Sequence, residues 1–167
     1  MTFRMSSSFK LEAELSSALD LTTASAPLAI NRQLILAQGT GAGQADMIYS
    51  DRVTIPASGT QAVDLAGTLP GPLGGTLTFA KIKLVLVSAL ATNTNNVNIV
   101  SDATNGPLLF MAKGDGYPVR PGGMFLAYDP SAAGTVVTAG TADLINLINS
   151  GAGTPVTADV VIIGASA

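Results

Sequence analysis

The stretch FKLEAELS, residues 9–16, alternates strictly between apolar and polar side chains. Its apolar side consists of Phe9, Leu11, Ala13 and Leu15, and its polar side of Lys10, Glu12, Glu14 and Ser16. Because successive side chains of a strand point to opposite faces, a period of two is typical of a strand rather than a helix. The stretch therefore predicts a strand with one face buried and the other in water.

Short apolar runs recur along the rest of the chain, separated by eight clusters of turn residues such as GTGAG (39–43) and LPGPLGG (69–75). This spacing predicts an all-β domain of about nine or ten short strands, arranged as a sandwich or a barrel. The run AKIKLVLV (80–87) predicts a central strand, with Lys81 and Lys83 facing outward before both faces become apolar. A further run, LLFMA (108–112), also predicts a strand.

One segment, TADLINLINSG (141–151), fits two secondary structures. Its leucines and isoleucines have helical spacing, Thr141 is a suitable N-cap, and Gly151 is a suitable C-cap. The same residues also form an apolar run of strand length. The residues alone leave helix and strand open.

The composition indicates one domain whose surface is short of charge. The 167 residues are 47% hydrophobic and 11% charged, against about 25% charged in a typical soluble domain. Such a chain is expected to cover part of its outside with a partner. The net charge of −3, with eight scattered basic residues, argues against nucleic acid as that partner. No apolar run approaches the roughly 20 residues of a membrane helix, so we expect no membrane partner.

The inventory of reactive residues argues against catalysis. The chain has no histidine and no cysteine, which removes the most common general base and the usual zinc ligands. Glu12 and Glu14 form either a carboxylate pair or, as we prefer, a solvated strand face beside Lys10. Asp102 and Asp115 fit tight turns better than calcium loops. We therefore predict no enzyme activity, no catalytic residues, no cofactor and no metal.

The glycines of LILAQGTGAGQAD, residues 34–46, resemble a phosphate-binding loop at first sight. Such a loop requires a helix after the glycines or a Gly-Lys-Ser/Thr ending. Strand-like residues follow instead, and no lysine lies between Lys10 and Lys81. We predict a hairpin connection in which at least one of Gly39, Gly41 and Gly43 has a positive φ.

The carboxyl-terminal half resembles a group of small virion proteins of tailed bacteriophages and prophages. The resemblance rests on NTNNVNIV (93–100), VRPGGMFLAYDP (119–130) and VTAGTADLINLINSGAGTPVTADVVIIGAS (137–166), and it extends in pattern back to about residue 28. It carries structural motifs and no catalytic signature. It implies a single-domain antiparallel β-sandwich of jelly-roll type, and it favours a strand over residues 141–151.

The resemblance also implies a function. The expected role is that of a decoration or cement protein, which binds the phage major capsid protein on the outside of the assembled capsid and stabilises it. Such a protein is made in the host cytoplasm and located on the virion. The alternative is a receptor- or glycan-binding module of a tail or head fibre, in which loops such as TNTNN (92–96) and GDGYP (114–118) line a polar site and Tyr117 stacks on a sugar.

The expected organisation is a flexible N-terminal arm, residues 1–8, followed by a sandwich domain, residues 9–167. Contacts with the capsid or with other subunits are expected from apolar residues that the core does not use. These candidates are Phe3 and Met5 in the arm, and Leu69, Pro70, Pro72 and Leu73 in the proline-glycine loop. A homo-oligomer, a trimer rather than a dimer, is expected from the need to occupy symmetry axes of a lattice.

Overall fold

A computed structural model describes residues 2–167. This part of the chain contains strands and loops but no helix. It therefore has no helix that could cross a membrane. The predicted all-β class is confirmed. The fourteen strands are β1 (Met5–Ala18), β2 (Thr23–Gln38), β3 (Gln44–Ala45), β4 (Met47–Ile55), β5 (Thr60–Asp64), β6 (Leu69–Pro70), β7 (Thr76–Leu77), β8 (Lys81–Ala89), β9 (Val97–Ser101), β10 (Gly116–Val119), β11 (Met124–Tyr128), β12 (Thr135–Val136), β13 (Leu144–Asn149) and β14 (Val156–Ala165).

Two antiparallel sheets form a sandwich around the main core. The front sheet has the strand order β11-β8-β14-β4, with β12 added beside β8, and the back sheet has the order β10-β9-β13-β5. Buried side chains from both sheets meet between them, including Val85 and Ile162 from the front and Ile99 and Leu147 from the back. Strand β13 lies in the middle of the back sheet, so residues 144–149 form a strand, as the resemblance favoured.

The central strand β8 departs from its expected orientation at Lys83. The pairing of β14 with β8 shifts between Ile163 and Gly164, which leaves Lys83 as an extra residue on β8. Lys83 is only 1% exposed, and its ammonium group donates hydrogen bonds to the carbonyls of Ser131 and Ala132. The expectation that Lys83 faces outward is therefore wrong. Burial lowers the pKa of Lys83, and the charge of Lys81 adds to this effect.

Strands β1 and β2 form a long hairpin, here called the ribbon, that belongs to neither sheet of the sandwich. Fourteen residue pairs join them, from Met5 with Leu36 to Ala18 with Thr23. At about 3.4 Å per residue the ribbon is about 48 Å long. Residues 5–8, which the sequence assigned to the arm, are part of β1, and residues 9–38, assigned to the sandwich, lie mainly in the ribbon.

The glycine-rich segment after β2 is a compact loop. Gly39 has a φ of 135° and Gly43 a φ of 65°, so the expected positive φ is confirmed. The expected hairpin is wrong, because β3 runs parallel to β2, with Ala37 opposite Gln44. The loop is held by hydrogen bonds from the Gly43 N–H to the Pro130 carbonyl and from the Gly41 N–H to the Gln44 side chain.

A second correction concerns the connection between β9 and β10. The apolar run at residues 108–112 forms no strand and belongs to a loop. Strands β9 and β10 pair directly with each other, Val100 opposite Gly116, so the residues between them are left outside the sheet. The GDGYP segment is a turn only in its first half, since β10 begins at Gly116 and places Pro118 on an edge strand, where a proline is tolerated.

Candidate interaction surface

The ribbon separates apolar from charged side chains between its two faces. Directly paired residues of an antiparallel pair share a face, so the register assigns each side chain. One face, here called the apolar face, carries Met5, Ser7, Phe9, Leu11, Ala13, Leu15 and Ser17 from β1 and Ala24, Ala26, Leu28, Ile30, Arg32, Leu34 and Leu36 from β2. Arg32 is the single charged residue on it. Lys10, Glu12 and Glu14 all lie on the opposite face.

The apolar face is largely open to solvent. The exposed fractions of its large side chains are 45% for Phe9, 42% for Leu11, 78% for Leu15, 50% for Leu28 and 37% for Ile30. At the tip of the ribbon, Leu19 is 57% and Leu21 99% exposed. The predicted strand over residues 9–16 is confirmed, but its predicted burial on one face is wrong. A two-stranded hairpin alone is at best marginally stable in water, so this surface is suited to contact with another element.

The base of the ribbon is anchored on the outer face of the front sheet. Leu36 is fully buried there and forms a second apolar cluster with Leu84 of β8 and Ile163 of β14. Met5, opposite Leu36, packs against the same cluster. The Tyr128 hydroxyl donates a hydrogen bond to the Ile35 carbonyl at 3.0 Å. The apolar face thus already packs, at one end, on an apolar sheet surface of its own chain.

Beside this anchor, an open space lies between the ribbon and the front sheet and is here called the ribbon groove. Its volume is about 270 Å³. Phe9 and Leu34 line its ribbon side, and Leu86, Leu126 and Met124 line its sheet side. Met124 is 60% and Leu126 40% exposed, so the groove is an apolar surface that the chain itself leaves unfilled.

The opposite face of the ribbon contains the two glutamates that the sequence singled out. The Lys10 ammonium forms an ion pair with the Glu12 carboxylate at 2.9 Å, and more than half of each side chain is exposed. Glu12 lies opposite Ala29 and Glu14 opposite Pro27. This is the solvated strand face that the alternation indicated.

The structure brings some of the six predicted contact residues together and separates others. Phe3, Pro72 and Leu73 line one cleft of about 160 Å³, here called the proline-glycine cleft, together with Ile48 and Leu77. Leu73 is 77% exposed.

The other three predicted contact residues do not line this cleft. Leu69 is 9% exposed and belongs to the main core, so it is not available to a partner. Met5 packs at the base of the ribbon. Pro70 is exposed in the short strand β6.

The aspartates that resemble calcium ligands organise turns. The Asp102 carboxylate accepts hydrogen bonds from the N–H groups of Thr104 and Asn105 at 2.9 and 2.8 Å, and from the Asn146 side chain at 3.0 Å. These backbone donors hold the pKa of the Asp102 carboxyl below its usual value. Asp115 accepts a hydrogen bond from the Ala112 N–H at 2.8 Å. Within residues 2–167, no three histidine, cysteine or acidic side chains are grouped as metal ligands would be.

The loops that the fibre alternative requires lie at opposite ends of β9. Segment 92–96 precedes β9 and is joined to the β13–β14 loop, for example by the hydrogen bond from the Asn96 N–H to the Ser150 hydroxyl. Segment 114–115 lies beside Ser101, the last residue of β9. Tyr117 is 50% exposed, and its ring centroid lies 5.6 Å from that of Phe125.

Sequence reasoning located β1 but missed the ribbon as a separate element. The apolar alternation of residues 9–16 has a counterpart in Ala26, Leu28 and Ile30, which would have revealed a matching apolar side on β2.

Comparison with known proteins adds nothing to this picture, since no protein-family model, curated protein or solved structure matches the chain.

Proposed function

We propose that this chain is a non-enzymatic structural protein of a bacteriophage virion, which binds the outside of the assembled capsid and stabilises it. One observation supports this most: the apolar side chains are divided between a closed sandwich core and a ribbon of about 48 Å whose apolar face is exposed. Exposed apolar surface of this extent is typical of a component of a larger assembly. The resemblance to small phage virion proteins is the reason for proposing that this assembly is a phage capsid.

The strand order supports the jelly-roll part of the proposal. A jelly roll has eight strands in two sheets. If the main strands from β4 to β14 are numbered one to eight, leaving out the two-residue strands, the front sheet reads 6-3-8-1 and the back sheet 5-4-7-2. Neighbours in each sheet are thus mostly distant in sequence, and one connection, β9 to β10, joins adjacent strands of the same sheet.

Stabilisation of the capsid would follow from mass action. A protein that binds the assembled lattice but not its loosened form raises the free energy of loosening by RT ln(1 + [L]/Kd) for each site. Repetition over the symmetric particle multiplies a modest contact. In this proposal the proline-glycine cleft, with Phe3, Pro72 and Leu73, contacts the major capsid protein, because it joins apolar side chains from two distant parts of the chain at the surface.

Capsids assembled from the major capsid protein alone provide the test. The purified chain is expected to sediment with them, and a Leu73→Ser variant to bind at least tenfold more weakly because it removes an exposed apolar contact. Leu108→Ser is the matched control, since Leu108 is 65% exposed but lies in the β9–β10 loop. Absence of the wild-type chain from the capsid pellet would overturn the proposal. If Leu73→Ser and Leu108→Ser lost capsid binding equally, the proline-glycine cleft would not be the contact with the capsid.

The alternative, a glycan-binding module of a fibre, has one specific observation in its favour. The exposed Tyr117 ring is braced by Phe125, which in turn lies 5.5 Å from Phe110 between ring centroids. A braced aromatic face is suited to stacking on a sugar. Binding of the purified chain to host cells, lost in Tyr117→Ala and retained in Leu73→Ser, would favour this alternative over the capsid.

A further inference from the structure

We propose that the apolar face of the ribbon is covered by the ribbon of a second copy of this chain, with the two ribbons antiparallel and face to face. This goes beyond the capsid proposal and does not depend on it. The ribbons would pair about a two-fold axis near Ala13 and Leu28, which lie opposite each other midway along the exposed part of the apolar face. The sandwiches would then lie at opposite ends of the paired ribbons.

The distribution of charge permits such a contact. Two apolar faces that meet bury neither Glu12 nor Glu14, because both lie on the opposite face. An uncompensated buried carboxylate would cost several kcal/mol. Arg32, the one charge on the apolar face, lies near its base, where its aliphatic stem can be covered while the guanidinium stays in water.

The sizes of the side chains favour an antiparallel arrangement. Toward the base, the paired residues are large: Phe9 with Arg32 and Leu11 with Ile30. Toward the tip they are small, ending in Ser17 with Ala24. An antiparallel partner places the small end of one ribbon over the large end of the other, so the space between them is evenly filled. A parallel partner would place the small pair of Ser17 and Ala24 opposite its own copy and leave a gap there, which costs packing energy.

The ribbon groove gives the tip of the second copy a place to bind. The groove lies at the level of Ser7 and Phe9. About an axis near Ala13, these levels correspond to residues 17–19 of the partner ribbon, so the tip with Leu19 and Leu21 reaches the groove. The most exposed leucine of the ribbon, Leu21 at 99%, would thereby contact the exposed side chains of Met124 and Leu126. One chain thus supplies both the apolar projection and the apolar groove that accepts it.

This arrangement differs from the trimer expected from lattice symmetry. Three ribbons meeting about a three-fold axis would run parallel, with equal levels of each ribbon side by side. The size gradient of the apolar face and the position of the groove both favour two antiparallel ribbons.

The absence of cysteine from the chain allows the arrangement to be mapped with single cysteines and a short bismaleimide crosslinker, using the purified full-length protein. Ala13→Cys lies near the proposed axis and is expected to give a crosslinked dimer in high yield. Ser17→Cys lies on the same face four residues farther along, so its two copies would be about 27 Å apart. It is expected to give at least tenfold less dimer. Glu14→Cys, on the opposite face, is the control and is also expected to give little.

Each other outcome contradicts the proposal. Crosslinking at both residue 13 and residue 17 would show parallel ribbons, and no crosslinking at either would show that the ribbons do not meet. Equal crosslinking at residue 14 would show random collisions. Cooperative thermal unfolding of every variant, followed by circular dichroism, establishes that the sandwich is folded. Because no capsid is present, failure here is distinguishable from failure of the capsid proposal.

Discussion

Gly43 has a φ of 65°, in the left-handed region, and a Cβ added to it would meet no atom within 4 Å. Gly43→Ala therefore tests backbone strain without a clash, and we expect it to lower the free energy of unfolding by about 1 kcal/mol. Thr40→Ala is the control in the same loop, because the backbone of Thr40 has a negative φ that alanine adopts without strain. Urea denaturation measures both changes, and equal losses would contradict the assignment of strain to Gly43.

Single residues show how far sequence patterns reach. Turn chemistry predicted a positive φ in the glycine loop because glycine is the residue that adopts it without cost. Nothing local predicted the burial of Lys83, because the shift in pairing between β8 and β14 that produces it depends on Gly164 and Ile163, about 80 residues away in the chain. Leu69 is a similar case, since its apolar character fits both an interface and the core in which it lies.

Leu36 controls how the ribbon is held, since it is fully buried in the cluster with Leu84 and Ile163. Leu36→Ala is expected to lower the free energy of unfolding by about 2–5 kcal/mol, because it removes buried methyl groups and leaves a cavity. Ile35→Ala is the matched control, since Ile35 is the next residue, lies on the opposite face and is 50% exposed. We expect it to cost less than about 1 kcal/mol.

Urea denaturation gives the two energies, and hydrogen exchange of the amides in residues 5–38 reports whether the ribbon opens. Faster exchange throughout the ribbon in Leu36→Ala, with little change in Ile35→Ala, is the expected pattern. Unchanged exchange in Leu36→Ala would contradict the assignment of this cluster as the anchor.

Elements were predicted where they have a clear period and misassigned where their partners decide the structure. The alternation of residues 9–16 identified β1 and its apolar side correctly. The alternation did not predict what packs against the apolar side. It identifies the apolar residues of the strand but not the surface that they contact. Residues 108–112 have the composition of a strand but form none. Strands β9 and β10 pair directly with each other, so these residues lie in the loop that connects the two strands.

At the scale of the whole molecule, the sequence predicted an all-β sandwich and the structure confirms it. The low content of charge predicts a partner for the surface, and we propose that the exposed apolar face of the ribbon is where a second copy binds. The identity of the capsid partner rests on the resemblance to phage virion proteins and remains a proposal. The division of the chain into a ribbon and a sandwich was not predicted, because both are built from the same alternating pattern.

The molar mass of the purified protein, measured by light scattering during size-exclusion chromatography, tests the pairing of ribbons most directly. We expect twice the mass of one 16.8 kDa chain, and the mass of one chain when Leu15→Ser and Leu28→Ser are combined on the apolar face. Glu14→Ser, on the opposite face, is expected to leave the mass unchanged. A wild-type mass of one chain at every concentration, or of three chains, would contradict the account.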